Sequence, residues 1–160
     1  MHTNFKRGFT LIELLVVIAI IGVLSAVVLA SLNTARSKGN DAGVKANLNT
    51  VGTQAALYYS DNNGYGVFDN GTAGIPGTCP VDGVTGTSVF HNPTIERAIA
   101  SALVDSSGGD TRCVSADTDY AVAVKRPDTT NSTYWCIDST GVHCGVSSLS
   151  NTACNCSTTL

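Results

Sequence analysis

The start of the chain and its remainder follow different hydrophobic patterns. Residues 9–32 hold sixteen Phe, Leu, Ile and Val side chains, broken chiefly by Thr10, Glu13, Gly22 and Ser25, and show no polar face. At about 1.5 Å per residue this stretch makes a helix of about 36 Å, enough to cross a hydrocarbon core of about 30 Å. Farther on, Val44, Leu48, Val51, Ala55 and Tyr58 recur at spacings of 4, 3, 4 and 3, with Asn, Thr and Gln between them. That spacing predicts a helix with one buried face. Asp61-Asn62-Asn63-Gly64 tolerates turns and left-handed backbone, which places the helix end near Ser60. A continuous helix over residues 9–60 would be about 78 Å long. Gly39 and Gly43 each weaken it by about 1 kcal/mol relative to Ala, so a bend or frayed turn is expected in the polar stretch 36–43.

In the distal part, Ile95, Ala98, Ile99, Ala102 and Leu103 lie at helical spacing after Asn92-Pro93 and before Ser106-Ser107-Gly108-Gly109, a short amphipathic helix over residues 94–104. Tyr120-Ala121-Val122-Ala123-Val124 and Tyr134-Trp135-Cys136-Ile137 have strand composition and read as an antiparallel hairpin. Laid over the Val44 to Tyr58 face, such strands bury what neither element buries alone. The expected fold class is α+β: a long N-terminal helix packed on a small antiparallel sheet.

Composition adds a compartment. All six cysteines, Cys79, Cys113, Cys136, Cys144, Cys154 and Cys156, lie beyond the apolar run, an even number in a region rich in Gly, Ser, Thr and Asn. They read as disulfides formed outside the cytoplasm. Their connectivity is open; Cys136 with Cys144 would close a small loop, and Cys79 with Cys113 would tie the short helix to the loop that precedes it. Zinc is disfavoured, since Cys154 and Cys156 are the one tight pair and no CxxC or His pair completes a site. The net charge of -3 and the lack of a Lys/Arg stripe exclude direct nucleic-acid binding as an expectation.

Lys6 and Arg7 precede the apolar run without an acid nearby, which keeps that end cytoplasmic. Glu13 lies inside the run. Insertion of sixteen strong apolar residues gains roughly 5 to 10 kcal/mol as an upper bound, and one central charge costs about 3, so the span tolerates Glu13. The carboxylate still calls for a partner.

The stretch Lys6-Arg7-Gly8-Phe9-Thr10-Leu11-Ile12-Glu13-Leu14 closely resembles the processing motif of type IV prepilins and the related pseudopilins. The resemblance implies that a membrane-embedded prepilin peptidase cuts between Gly8 and Phe9 and methylates the new Phe9 amine. It also implies that Glu13 meets the Phe9 amine of a neighbouring subunit during assembly. Positions 9 and 13 share a helix face, so a contact within one chain is also possible geometrically. In this reading residues 1–8 are a leader and 9–32 a membrane and filament-core helix. Residues 33–60 are its amphipathic continuation and 61–160 a globular head. The implied partners are the peptidase, identical or related subunits, an inner-membrane assembly platform and the lipid bilayer before assembly. The implied location is the cytoplasmic membrane with the head outside, then an extracellular or periplasmic filament. Gly22 matches a glycine common in that helix, whereas Ala30 stands where many relatives have proline. An ordinary signal peptide cut after Val28-Leu29-Ala30 fits less well, because the apolar run is long and contains Glu13.

The head offers no catalytic constellation: His91 and His143 sit in no recognised motif. Asp61-Asn62-Asn63-Gly64 begins like a calcium loop but has Thr72 where the twelfth-position Glu belongs; Asp105, Asp110, Asp117 and Asp119 supply further loop carboxylates. Calcium is the one cofactor this pattern raises, and none is expected. Asn70, Asn131 and Asn155 begin N-x-[ST] triplets, which chance produces in so Asn- and Ser-rich a chain. Two hypotheses remain: a structural filament subunit, of pilus or of pseudopilin type in a secretion or DNA-uptake machine, and an anchored or secreted disulfide-bonded enzyme or binding domain. The first accounts for the leader, Glu13 and the cysteines together.

Overall fold

The computed structural model describes residues 8–68, 76–80, 86–127, 133–149 and 151–154. The chain divides into two compact units, Met1–Arg36 and Ser37–Leu160. The helix α1, Leu11–Asn62, supplies the first unit's secondary structure and enters the second. Residues 36–43 are helical, so the frayed turn expected there is not seen. In the first unit every Phe, Leu, Ile and Val from residue 9 to 32 is exposed, Phe9 by 84% and Leu11 by 86%.

In the second unit the 4-3-4 spacing is filled as the pattern requires: Val44, Leu48, Val51 and Ala55 are buried, and Tyr58 packs at their edge. The helix stops two residues beyond the expected Ser60, where Asn63 turns left-handed (φ 56°) and its N–H reaches the Tyr59 carbonyl at 2.8 Å. A 3-10 turn, Val89–His91, leads into α2, Pro93–Asp105. Asn92 caps α2, its Oδ1 accepting from Thr94 N at 2.9 Å and Ile95 N at 3.4 Å, and Pro93 occupies the first position, where no amide is needed. Ile95, Ala98, Ile99 and Ala102 form its buried stripe. At its C-terminal end Asp105 lies against α1: it accepts from Asn47 Nδ2 at 3.0 Å and occupies the space a Cβ on Gly43 would take.

Four strands follow as an antiparallel meander in chain order: β1 Thr111–Ser115, β2 Tyr120–Lys125, β3 Tyr134–Asp138 and β4 His143–Val146. The expected hairpin is the β2–β3 pair, with Val122 opposite Ile137 and Val124 opposite Trp135. The flanking strands β1 and β4 were not read from the sequence, because Thr-Arg-Cys-Val-Ser and His-Cys-Gly-Val carry little strand composition. Alternation along the strands builds two cores. Cys113, Tyr120, Val122, Val124 and Ile137 join α1, α2 and Phe90 on one face. On the other face Val114, Ala121, Ala123, Cys136 and Val146 pack with Leu149 and Cys154 of the tail. The small Ala121 and Ala123 allow the tail to approach, which is why a four-stranded sheet in this chain is buried on both sides.

Disulfides tie both arrangements. Cys79 is bonded to Cys113 at the edge strand β1, and Cys136 to Cys154 across the outer face. The second bond corrects the Cys136–Cys144 loop weighed from the sequence. Those two residues are direct cross-strand partners in β3 and β4, already held together by the ladder, whereas the bond to Cys154 anchors a tail with no strand of its own. Cys144 is also disulfide-bonded. Cys156, the leader before Gly8, Thr72 and the triplets beginning at Asn70, Asn131 and Asn155 lie outside the described residues or run into undescribed ones.

Candidate functional site

Gly8, Phe9 and Thr10 precede α1 without regular structure and are exposed, and among the described residues nothing beyond the chain neighbours approaches within 4 Å of where a Gly8 Cβ would stand. The helix begins at a reciprocal capping box. Thr10 N and Thr10 Oγ1 donate to Glu13 Oε2 at 2.8 and 2.7 Å, while Glu13 N donates to Thr10 Oγ1 at 3.2 Å. Two amides at the helix start, Thr10 N and Glu13 N, are thereby satisfied, and the carboxylate lies at the positive end of the helix dipole. Sequence reasoning missed Thr10, although the pattern Thr-x-x-Glu before an apolar run was the available signal. The structure therefore brings Glu13 to Thr10. Gly22 is helical, and among the described residues nothing packs on it from outside its own helix.

The second unit contains buried polar groups, and several of them hold the fold together. Asp138, only 3% exposed, accepts from Thr140 N at 3.0 Å, Thr140 Oγ1 at 2.6 Å and Val142 N at 3.3 Å on one oxygen, and from Cys154 N at 2.8 Å on the other. Burial pushes its carboxyl up, but the Thr140 hydroxyl and the Cys154, Thr140 and Val142 amides outweigh burial and hold it below the usual range. The same carboxylate thus fixes the β3–β4 turn and latches the tail that Cys136–Cys154 also holds.

Asp41 on α1 accepts from the Trp135 indole and pairs with Lys45 at 3.2 Å and Arg126 at 3.4 Å. Lys45 Nζ lies 3.9 Å and Arg126 Cζ 4.7 Å from the Trp135 ring centroid, a cation–π arrangement. Burial pushes Asp41 up, and the bonds from Trp135 and Lys45 together with the Lys45 and Arg126 charges bring it below the ordinary value.

His91 Nδ1 meets Ser88 Oγ at 2.9 Å, and its ring lies 5.7 Å from that of Phe68. Ser88 is buried, and the pair pins the 3-10 turn. His143 lines a concavity of about 500 Å³ beside Asn49, Tyr65, Tyr120 and Asp138, but that carboxylate is already engaged by four donors. Asp61, the first residue of the calcium-like stretch, is still within α1 and exposed. Among the described residues no three His, Cys, Asp or Glu side chains gather as a metal site.

Gly8, Phe9, Thr10 and Glu13 thus stand at the start of an exposed apolar helix, and the second unit is a small disulfide-tied α+β unit. A model of the prokaryotic N-terminal methylation motif matches residues 3–29. Over 113 residues the chain is 38% identical to fimbrial protein EcpC of Eikenella corrodens, covering 68% of this chain and 69% of that protein. Over 59 residues it is 51% identical to the type IV wide pilus major component PilA4 of Thermus thermophilus, covering 37% of this chain and 45% of the relative. Over 65 residues it is 36% identical to the type IV major pilin protein PilA of Myxococcus xanthus, covering 41% and 30%. The chain therefore spans less than half the length of the last two relatives. No solved structure gives a significant match. The chain belongs to the type IV pilin and pseudopilin family.

Proposed function

We propose that the chain is a structural subunit of a type IV pilus-like surface filament, made as a precursor and polymerised through its N-terminal helix. The observation that carries this reading is the full exposure of an apolar helix surface, residues 9–32, behind a methylation motif. A helix apolar all round requires lipid or other helices about it. Before assembly the bilayer covers these side chains, with Lys6 and Arg7 on the cytoplasmic side; after assembly, the same residues of neighbouring copies cover them. Prepilin peptidase removes residues 1–8 and methylates Phe9. The new Phe9 amine of one copy answers Glu13 of the next, which exchanges its Thr10 bonds for a charged partner. An inner-membrane platform drives the extraction. The pilus form is preferred to the pseudopilin form because the relatives above are named as pilus or fimbrial proteins.

Mass spectrometry of the mature N-terminus tests the reading. It is expected to begin at N-methylated Phe9 in sheared filaments; a mature chain beginning at Met1 or Ser31 overturns it.

A further inference from the structure

The basic side chains of the second unit gather toward one end of α1, among Asp41, Asp105 and Asp110, whereas Asp61, Asp117 and Asp119 stand at the other. Lys38 and Lys45 lie near its entry into the unit. Arg112, Lys125 and Arg126 are brought to the same end by the sheet, where Arg112 pairs with Ala123, Lys125 with Tyr134, and the neighbouring Trp135 bonds Asp41. At the other end of α1 stands Asp61, with Asp117 and Asp119 on the β1–β2 turn, whose Asp117 carbonyl accepts from Tyr65 N at 2.9 Å. The helix rises about 30 Å from Asp41 to Asp61.

Pairing within the chain leaves a residue of each sign. At the cationic end Asp41 is taken by Lys45 and Arg126, and Asp110 by Arg112 at 2.7 Å. Among the described residues Lys38 and Lys125 have no carboxylate partner, and Asp61, Asp117 and Asp119 have no cationic one; Asp105, at the cationic end, is bonded to Asn47 and has no cationic partner either. Asp119 accepts hydroxyl bonds from Thr118 and Ser139. Arg97, on α2, donates to its own helix at the Pro93 carbonyl, 2.9 Å away. At physiological salt the screening length is about 8 Å, so unpaired charges about 30 Å apart do almost nothing for one another inside one subunit. Between copies they are complementary.

We propose that heads stack end to end, the Asp61 and Asp117 end of one copy against the Lys38 and Lys125 end of the next. The inference rests on the filament reading above and adds to it a polar, salt-sensitive contact beside apolar helix packing. Such a head-to-tail contact uses two different surfaces of each copy and does not close, which is the geometry of a filament. Complementary charge sets direction and register more than it adds affinity: a head-to-head pair would face like charges.

The test is made in cells assembling the full-length chain, by weighing sheared filament against the membrane pool of mature subunit. Asp61→Lys with Asp117→Lys, and separately Lys38→Glu with Lys125→Glu, are each expected to lower filament yield about tenfold through like-charge contact. All four substitutions together are expected to restore it, which a folding defect would not allow. Unchanged yield in either double variant, or a quadruple variant as poor as the doubles, overturns the stacking and leaves the filament reading in place. Loss confined to the lysine variant, with the aspartate variant normal, points instead to an anionic lipid surface and also overturns it. A wild-type chain that yields no filaments overturns the filament reading and the stacking with it.

Discussion

Leu11 is 86% exposed and Val44 is completely buried, although both are apolar residues of α1. The difference lies in what surrounds each. From residue 44 onward the helix carries one apolar stripe, and α2, the sheet and Phe90 cover it. From residue 9 to 32 the helix is apolar on all sides, so no single face directs a domain to pack on it, and coverage must come from outside the chain. One helix therefore folds a domain at one end and, in the function proposed above, associates at the other. The charged and capping groups follow the same division: Glu13 is exposed and bonded to its nearest neighbour, whereas Asp138 is buried and holds a tail sixteen residues away in sequence.

If the two ends are separable in this way, substitutions should affect one and spare the other. The largest effect is expected from Glu13→Ala, which should reduce filaments to near absence while the thermal midpoint of the detergent-solubilised chain stays unchanged; normal filament yield would defeat the role given to that carboxylate. Next, truncation at Ser37 should give a monomer with a cooperative melt, since among the described residues none before Val44 is buried; aggregation or a broad melt would show that the head needs the apolar helix. Replacing Cys136 and Cys154 together by Ala should lower stability by about 2 to 4 kcal/mol, read by denaturant titration. A loss below about 1 kcal/mol would transfer the tail's anchorage to Asp138.

The acid dependence should likewise belong to the head. Asp41 and Asp138 are held below the usual carboxylate range in the folded state. Their contribution is fully present above the unfolded value of about 3.9 and is lost as pH falls through the lowered folded values. The melting midpoint is therefore expected to be steady from neutrality to about pH 5 and to drop below about pH 4. Asp138→Asn should lower it at neutral pH and make the acid decline shallower; an unaltered decline would assign the dependence elsewhere. The smallest effect is expected for Thr10→Val, which removes the hydroxyl of the capping box at a cost of about 1 kcal/mol and should speed amide exchange in the first turn only.

Much of this was legible in the order of residues because the signals were local. The apolar run, the 4-3-4 stripe, the Asn92-Pro93 cap and the β2–β3 pair each depend on neighbours a few positions apart, and each element appeared within two residues of its expected bounds. Strands β1 and β4 were not legible, since they are strands only by pairing with β2 and β3. The Cys136–Cys154 bond was equally hidden: proximity in sequence favoured Cys144, whereas the tail's path over Ala121 and Ala123 brings Cys154 to the outer face. The capping box of Thr10 and Glu13 is local as well, since Thr-x-x-Glu spans three positions.

By itself, then, the sequence determined the apolar N-terminal helix, the N-terminal methylation motif and the presence of a disulfide-bearing α+β head, because hydropathy and helical period act over a few residues. Tertiary structure decided which cysteines meet, that the sheet is buried on both faces, that Asp138 latches the tail, and that unpaired charges of opposite sign end about 30 Å apart along α1. Those outcomes depend on where distant segments come to rest against one another, and in this chain that is set by the packing of the sheet on the second half of a helix whose first half packs on nothing of its own.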